Sequence, residues 1–230
     1  MRDLAAVLFD MDGTLVETEH YWDVGLEELA VRLGGQLSAE VRPAMTGVSV
    51  PVSLQLLYAD LGLDPATQDA EGDDRWLQGR VVEMLTAGVS WRPGARDLLA
   101  AALAGGVPTA LVTTTHRPLA SIVVRHLAAD LGTAPFAVEV FGDEVPAVKP
   151  DPAPYLQAAA ALDVDPTRCV VVEDSLAGVT AGLAAGCAVL GVPALQDLPV
   201  LPGLTVRPTL AGLGVADLQD LVGAQEPVAR

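Results

Sequence analysis

Five short apolar runs, each ending at polar or turn residues, constrain the fold of this chain more than any other feature. The runs cover residues 4–9, 109–112, 138–141, 170–172 and 188–192. Their length and valine content are typical of buried strands. Alanine-rich segments that suit helices lie among them, at 94–104, 117–129, 152–162 and 176–185. Strands that alternate with helices predict an α/β fold, a doubly wound, Rossmann-like parallel sheet covered on both faces.

Residues 17–88 interrupt this alternation. They contain four helical patterns, at 19–34, 38–46, 50–60 and 66–86, and no convincing strand. The sequence therefore predicts an all-helical domain inserted after the first strand, with the α/β core formed by 1–16 and 89–230. Many acidic residues fall in the insertion, among them Glu27, Glu28 and Asp73, and a solvated helix face is their ordinary explanation.

The composition excludes several classes of protein. An apolar content of 51% in 230 residues is enough for a large core. A net charge of −17 argues against binding to nucleic acid or to an anionic membrane surface, because both require a basic face. We find no signal peptide or membrane-spanning stretch, and we expect a soluble, cytoplasmic monomer or weak dimer. The two cysteines, Cys169 and Cys187, have apolar neighbours and are predicted to be buried free thiols.

The first apolar run ends in Asp10-Met11-Asp12-Gly13-Thr14-Leu15. Two acids at this spacing, directly after a buried strand, can both line one crevice. In open parallel sheets, ligands bind outside the carboxyl ends of the strands. A lone motif of this kind is more often a polar turn, so its interpretation depends on the other strand ends.

Those other ends carry complementary groups. The second core strand leads into Thr113-Thr114-Thr115-His116-Arg117, where hydroxyls and the start of a helix favour an anion site. Lys149 lies in a proline-rich loop after the next strand, and Glu173-Asp174 follow three valines. Acids so close to a buried strand need a partner, which a cation supplies. Together these residues are typical of a Mg²⁺-assisted phosphoryl-transfer site.

The order of these elements resembles the four motifs of the haloacid dehalogenase superfamily: D-x-D-G-T-[LV], then Ser or Thr, then Lys, then Glu-Asp. The connecting segments Arg92-Pro93-Gly94, Lys149-Pro150-Asp151-Pro152 and Glu173–Gly178 extend the resemblance over nearly the whole chain. A helical cap between the first and second motifs is similar to the subgroup that contains phosphoglycolate phosphatase and β-phosphoglucomutase.

The resemblance implies a role for each motif residue. Asp10 would be the nucleophile and a Mg²⁺ ligand. Asp12 would be the general acid and base, and its carbonyl would also bind the metal. Asp174 would be a metal ligand, and Glu173 a ligand or a supporting acid. The implied phosphate- and substrate-binding residues are Thr14, Thr113, Thr114, His116, Arg117 and Lys149.

These roles imply a Mg²⁺-dependent phosphatase that acts on a small phosphorylated metabolite. Asp12 argues against a dehalogenase, whose motif lacks an acid there. A sugar-phosphate mutase is the alternative, but its pattern has arginine where Val50 stands in Thr46–Val50, and lysine where His116 stands. A receiver-type signalling domain has a different motif order, and a catalytically idle homologue is disfavoured because no motif residue is missing. Substrate choice should lie in residues 17–88 and at His116-Arg117.

Overall fold

The computed structural model describes residues 3–45 and 50–224. Within these residues six strands form one parallel sheet, in the order β3-β2-β1-β4-β5-β6. The strands are β1 (Ala6–Phe9), β2 (Thr109–Val112), β3 (Val138–Val140), β4 (Cys169–Glu173), β5 (Ala188–Gly191) and β6 (Leu204–Val206). The predicted α/β fold with a doubly wound parallel sheet is confirmed.

The sheet is wound outwards from β1, which is completely buried between β2 and β4. Phe9, its last residue, is in register with Leu111 of β2 and Val172 of β4. The chain order reverses between β1 and β4, and this is the switch point where open α/β sheets bind ligands. The residues that follow Phe9, Val112 and Val172 therefore meet at one edge of the sheet.

Five helices accompany the sheet in the described residues: α5 (Ala95–Ala104), α6 (Arg117–Leu131), α7 (Ala153–Ala161), α8 (Leu176–Ala184) and α9 (Val215–Ala224). The first four of these helices begin and end within two residues of the predicted bounds. Ser175 caps α8, because its hydroxyl accepts a hydrogen bond from the N–H of Gly178. The sequence did not reveal β6 or α9. β6 is a three-residue edge strand that is only partly buried, and α9 buries only Leu218 and Val222.

The glycines of α8 allow this helix to pack closely on the sheet. A Cβ atom at Gly182 would lie 3.1 Å from methyl groups of both Val171 on β4 and Val189 on β5. Gly186 lies beyond the end of the helix, in the turn that leads to β5, with φ of +84°. Gly178, Gly182 and Gly186 recur every four residues, and close packing within the α/β unit together with a turn explains this spacing.

The chain divides into two compact units, residues 1–17 with 90–230, and residues 18–89. The second unit holds α1 (Glu19–Arg32), α2 (Arg42–Met45), α3 (Val50–Asp60) and α4 (Ala70–Ala87). Its interior contains leucines from three of these helices and the buried Tyr58, which donates a hydrogen bond of 2.8 Å to Asp73. Asp73 is only 7% exposed, so the solvated-face interpretation is wrong for this acid. Residues 46–49, part of the segment that was compared with the mutase pattern, lie outside the described residues.

Cys169 and Cys187 are free and buried, as predicted. Burial raises the pKa of both thiols, so both stay protonated and unreactive near neutral pH. In the part of the chain that the structure describes, no helix has both the length and the apolar character that a membrane span needs.

The packing of α8 predicts the effect of a larger side chain. Gly182→Leu should destabilise the protein by about 2 kcal/mol, because the side chain overpacks the contact with β4 and β5. Gly79→Leu is the matched control, since Gly79 lies exposed on α4 with open space around it. The control should gain about 0.5–1 kcal/mol of helix propensity. Urea unfolding measures both, and equal effects of the two substitutions would contradict the packing argument.

Candidate active site

The ammonium group of Lys149 connects the ends of three neighbouring strands. Its Nζ donates hydrogen bonds to Asp10 Oδ1 at 2.6 Å, to Glu173 Oε1 at 2.7 Å and to the carbonyl oxygen of Val112 at 2.8 Å. Asp10 follows β1, Val112 ends β2 and Glu173 ends β4. An ammonium group has three donors, and here each has an acceptor.

Lys149 is the only lysine in the sequence, and its side chain is only 4% exposed. Burial lowers the pKa of this ammonium group, but the charges of Asp10 and Glu173 raise it more, so that it stays protonated. Three acceptors around one nitrogen suit a compact ammonium group better than a planar guanidinium. The local chemistry thus explains a lysine in a chain whose other basic side chains are arginines and histidines.

Three carboxylates crowd together beside Lys149. Asp10, Glu173 and Asp174 each offer an oxygen, and these oxygens lie within 4.8 Å of one another. Burial and the charge of Glu173 raise the pKa of Asp10 well above its ordinary value, although Lys149 opposes this. Burial and Glu173 likewise raise the pKa of Asp174 to about 7. Because one ammonium does not balance three acids, and hard cations prefer oxygen ligands, the cluster fits a divalent metal ion.

The carboxylate of Glu173 is already filled by donors from the protein. Its Oε1 accepts hydrogen bonds from Lys149 and from the hydroxyl of Tyr155. Its Oε2 accepts three more, from the backbone N–H of Asp174, the backbone N–H of Ser175 and the Ser175 hydroxyl. Gly178 provides the space, since a Cβ there would lie 1.6 Å from Oε1. Asp10 and Asp174 are therefore better placed than Glu173 to bind a cation.

Asp12 is held by hydroxyl groups from the loop after β2. Its Oδ2 accepts a bond of 2.7 Å from Thr115 Oγ1 and a longer one of 3.3 Å from Thr113 Oγ1. The N–H of Thr115 in turn donates to Thr113 Oγ1 at 3.0 Å. Thr113 and Thr114 were predicted from the sequence, whereas Thr115 was not. The run of three threonines was the available signal, but it did not show which hydroxyls point towards Asp12.

The turn after β1 closes on Asp174. Thr14 is 1% exposed and donates from its hydroxyl to Asp174 Oδ1 at 3.3 Å. Gly13 has φ of +79°, and a Cβ there would lie 2.3 Å from Asp174 Oδ2. Glycine is thus required for both the backbone conformation and the close approach. The Thr14 hydroxyl thus orients a carboxylate, and its contact with the substrate stays a prediction.

The remaining predicted substrate residues, Thr114, His116 and Arg117, are exposed. Arg117 begins α6, its guanidinium pairs with Glu144, and its Cζ lies 4.2 Å from the centroid of the Phe141 ring. The structure therefore does not bring the Arg117 guanidinium into the Asp10 and Lys149 cluster. The physical reason is local, because the acids that follow β3 attract this side chain.

Comparison with known proteins places this geometry in a family. The sequence model of the haloacid dehalogenase-like hydrolases matches residues 4–186. Hexitol phosphatase A of Escherichia coli is 37% identical over 200 residues, which cover 84% of this chain and 85% of that protein. The phosphorylated carbohydrates phosphatase of Thermotoga maritima is 32% identical over 183 residues, covering 80% of this chain and 82% of the relative.

Solved structures show the same likeness. The complex of a CbbY variant from Rhodobacter sphaeroides with xylulose 1,5-bisphosphate has a TM-score of 0.75 at 30% identity, covering 94% of this chain and 99% of the other. A hydrolase of this family from Deinococcus radiodurans, with bound phosphate and sodium, has a TM-score of 0.66 at 30% identity and covers 96% and 89%. Fold, motif order and sequence agree, and the chain belongs to the haloacid dehalogenase-like hydrolases.

Proposed function

We propose that this hydrolase is a Mg²⁺-dependent phosphatase that cleaves a small phosphorylated metabolite through an aspartyl-phosphate on Asp10. The observation that carries the proposal is the hydrogen bond of 2.6 Å between Asp10 and the buried Lys149 at the ends of three adjacent strands. A carboxylate placed there meets a phosphate ester under the influence of a fixed positive charge.

Lys149 addresses the main barrier to this chemistry. A phosphate dianion and the Asp10 carboxylate repel each other, by about 4 kcal/mol for two unit charges 4 Å apart at an effective dielectric constant of about 20. The ammonium group offsets that repulsion while Asp10 attacks phosphorus and the bond to the leaving oxygen breaks. Thr113, at the end of β2, is the candidate hydroxyl donor to the phosphoryl group.

Asp12 is the proposed general acid and base. In the first step it donates a proton to the leaving oxygen, and in the second it accepts a proton from the water that attacks the phosphorylated Asp10. The bond from Thr115 orients Asp12 for both transfers. This places the nucleophile and the acid two residues apart, held by different partners, Lys149 and Thr115.

The side chains of Asp10 and Asp174 and the carbonyl of Asp12 are the proposed ligands of the Mg²⁺ ion. When bound, such an ion polarises phosphoryl oxygens and neutralises their charge. Thr14 orients Asp174 towards this position, and Glu173 supports the site through Lys149 and the backbone. The family, the oxygen donors and the raised pKa values of the carboxyl groups support this assignment.

We infer that the substrate is a phosphorylated sugar or sugar alcohol, since the relatives named above act on hexitol and carbohydrate phosphates. The helical unit, residues 18–89, is the proposed cap that selects the substrate and excludes water during the reaction. A mutase would need a residue that binds a second phosphate group. Val50, the first residue of α3, is apolar, and this favours hydrolysis over phosphate transfer between sugar positions.

Asp10→Asn tests the nucleophile. The amide cannot attack phosphorus, so turnover of para-nitrophenyl phosphate and of a panel of sugar and polyol phosphates should fall roughly a thousandfold or more while the fold persists. Asp163→Asn is the matched control, because Asp163 is exposed with φ of 55°, where asparagine is well tolerated. Wild-type turnover by Asp10→Asn would refute the assignment of Asp10 as the nucleophile.

Interconversion of glucose 1-phosphate and glucose 6-phosphate by the unmodified protein would establish a mutase in place of a phosphatase.

Thr115→Val tests the orientation of Asp12. The variant keeps the side-chain shape and removes the hydroxyl, so kcat/KM on an alkyl phosphate, which reports the first step, should fall about tenfold. The loss should be smaller on para-nitrophenyl phosphate, whose leaving group needs little protonation. Thr180→Val is the control, since that exposed hydroxyl donates only to its own helix. Equal losses of kcat/KM on both substrates would contradict a role in protonating the leaving oxygen.

The raised pKa of Asp174 predicts how cation binding depends on pH. Unfolded aspartate ionises near 3.9, so between about pH 4 and pH 7 Asp174 is more protonated in the folded protein than in the unfolded chain, and its contribution to metal-free stability falls as pH rises. Protons compete with the cation for this carboxylate. Added Mg²⁺ should therefore raise Tm more at about pH 8 than at about pH 5.5. Asp174→Asn should remove most of this shift, and equal Tm shifts at the two pH values in the unmodified protein would count against the site.

A further inference from the structure

Tyr155 contacts Glu173 and Lys149 of the proposed active site, although it belongs to none of the four motifs. It lies on α7 and is completely buried. Its hydroxyl donates to Glu173 Oε1 at 2.9 Å, and its ring centroid lies 5.0 Å from Lys149 Nζ, within the range of a cation–π contact. One side chain thus contacts both the carboxylate of Glu173 and the ammonium group of Lys149.

The hydrogen bonds of Glu173 show what this hydroxyl does. Oε1 has two donors, Tyr155 and Lys149, and Oε2 is occupied by three donors from Asp174 and Ser175. A carboxylate offers about four lone-pair directions, so the group is full. Tyr155 and Lys149 therefore share a single oxygen, and the strength of one bond affects the other.

The same oxygen is one of three acceptors that hold Lys149 Nζ, the others being Asp10 Oδ1 and the Val112 carbonyl. Without the Tyr155 hydroxyl, Oε1 would have only the ammonium as a donor. The buried carboxylate would then draw Nζ towards itself and away from Asp10, because loss of one donor leaves a buried lone pair unpaired, which is costly. Burial and the nearby Glu173 and Asp10 raise the pKa of Tyr155 well above its ordinary value, so the phenol stays a donor.

We propose that Tyr155 is a positioning residue whose hydroxyl shares Glu173 with Lys149 and thereby holds the ammonium group against Asp10. The catalytic consequence rests on the proposed phosphatase function, whereas the structural part does not. Tyr155 does not touch the reacting atoms. It acts through Lys149, the group that meets the charge that forms between Asp10 and the phosphoryl group.

Tyr155→Phe is the test, because it removes the hydroxyl and keeps the ring beside Lys149. We expect kcat per folded molecule to fall about tenfold with KM nearly unchanged, as misplacement of a charged group affects the transition state more than binding. The matched control is Tyr58→Phe in the helical unit. It also removes a buried tyrosine–carboxylate bond, to Asp73 at 2.8 Å, so Tm should fall by a similar amount without a change in kcat.

A second readout is independent of activity. Because Lys149 is the only lysine, protein labelled with ¹⁵N-lysine has a single ammonium signal in its NMR spectrum. Burial and three acceptors should protect its protons from water. In Tyr155→Phe the signal should shift or broaden, and in Tyr58→Phe it should not change. Should Tyr155→Phe fail to fold, labelling the unmodified chain with 3-fluorotyrosine strengthens the phenol as a donor and must also shift the signal.

The outcomes are distinct. An unmoved ammonium signal together with a wild-type kcat in Tyr155→Phe, at the same loss of Tm as in Tyr58→Phe, would reduce Tyr155 to a packing residue and overturn the inference. An unmoved signal under 3-fluorotyrosine labelling would do the same. A protein that hydrolyses no phosphate ester would refute the proposed function instead, while the ammonium signal would still decide whether Tyr155 positions Lys149.

Discussion

The buried ammonium group of Lys149 is the interaction on which the site depends. Charges removed from water are costly unless each is paired and hydrogen-bonded, and here two carboxylates and a carbonyl provide the partners. That arrangement needs β2, β1 and β4 to be neighbours in register, since each contributes one acceptor at its carboxyl end. The parallel sheet and the charge cluster thus support each other, and Tyr155 and Gly178 complete the surroundings of Glu173.

An acidic protein that handles an anionic substrate has to confine its positive charge. The chain has a net charge of −17, and its single lysine lies among the acids at the strand ends. Arg117, the arginine predicted from the sequence to bind substrate, is paired with Glu144 and stacked on Phe141. The positive potential of the proposed phosphate site therefore depends on Lys149 and on the proposed cation, and the net charge of the whole chain says little about it.

Most of the fold was predictable because buried strands and amphipathic helices leave strong local patterns. β1, β2 and β4 are short apolar runs that end abruptly in acid or hydroxyl residues. β6 and α9 were missed for the same physical reason: a short edge strand and a helix with two buried side chains carry little pattern. In the site, Thr115 and Tyr155 were missed, since a hydroxyl three residues past a strand and a tyrosine in an alanine-rich helix resemble ordinary structural residues.

The sequence by itself determined the fold class, the family resemblance and the order of the four motifs, because each depends on residue types and spacing along the chain. Only the tertiary structure decided which side chains meet. It brought Asp10, Lys149, Glu173 and Asp174 together, directed Thr14 to Asp174, and left Arg117 with Glu144. The reason is that strand register and loop geometry fix distances of a few ångströms between residues far apart in the chain, such as Lys149 and Asp10, and no local pattern contains those distances.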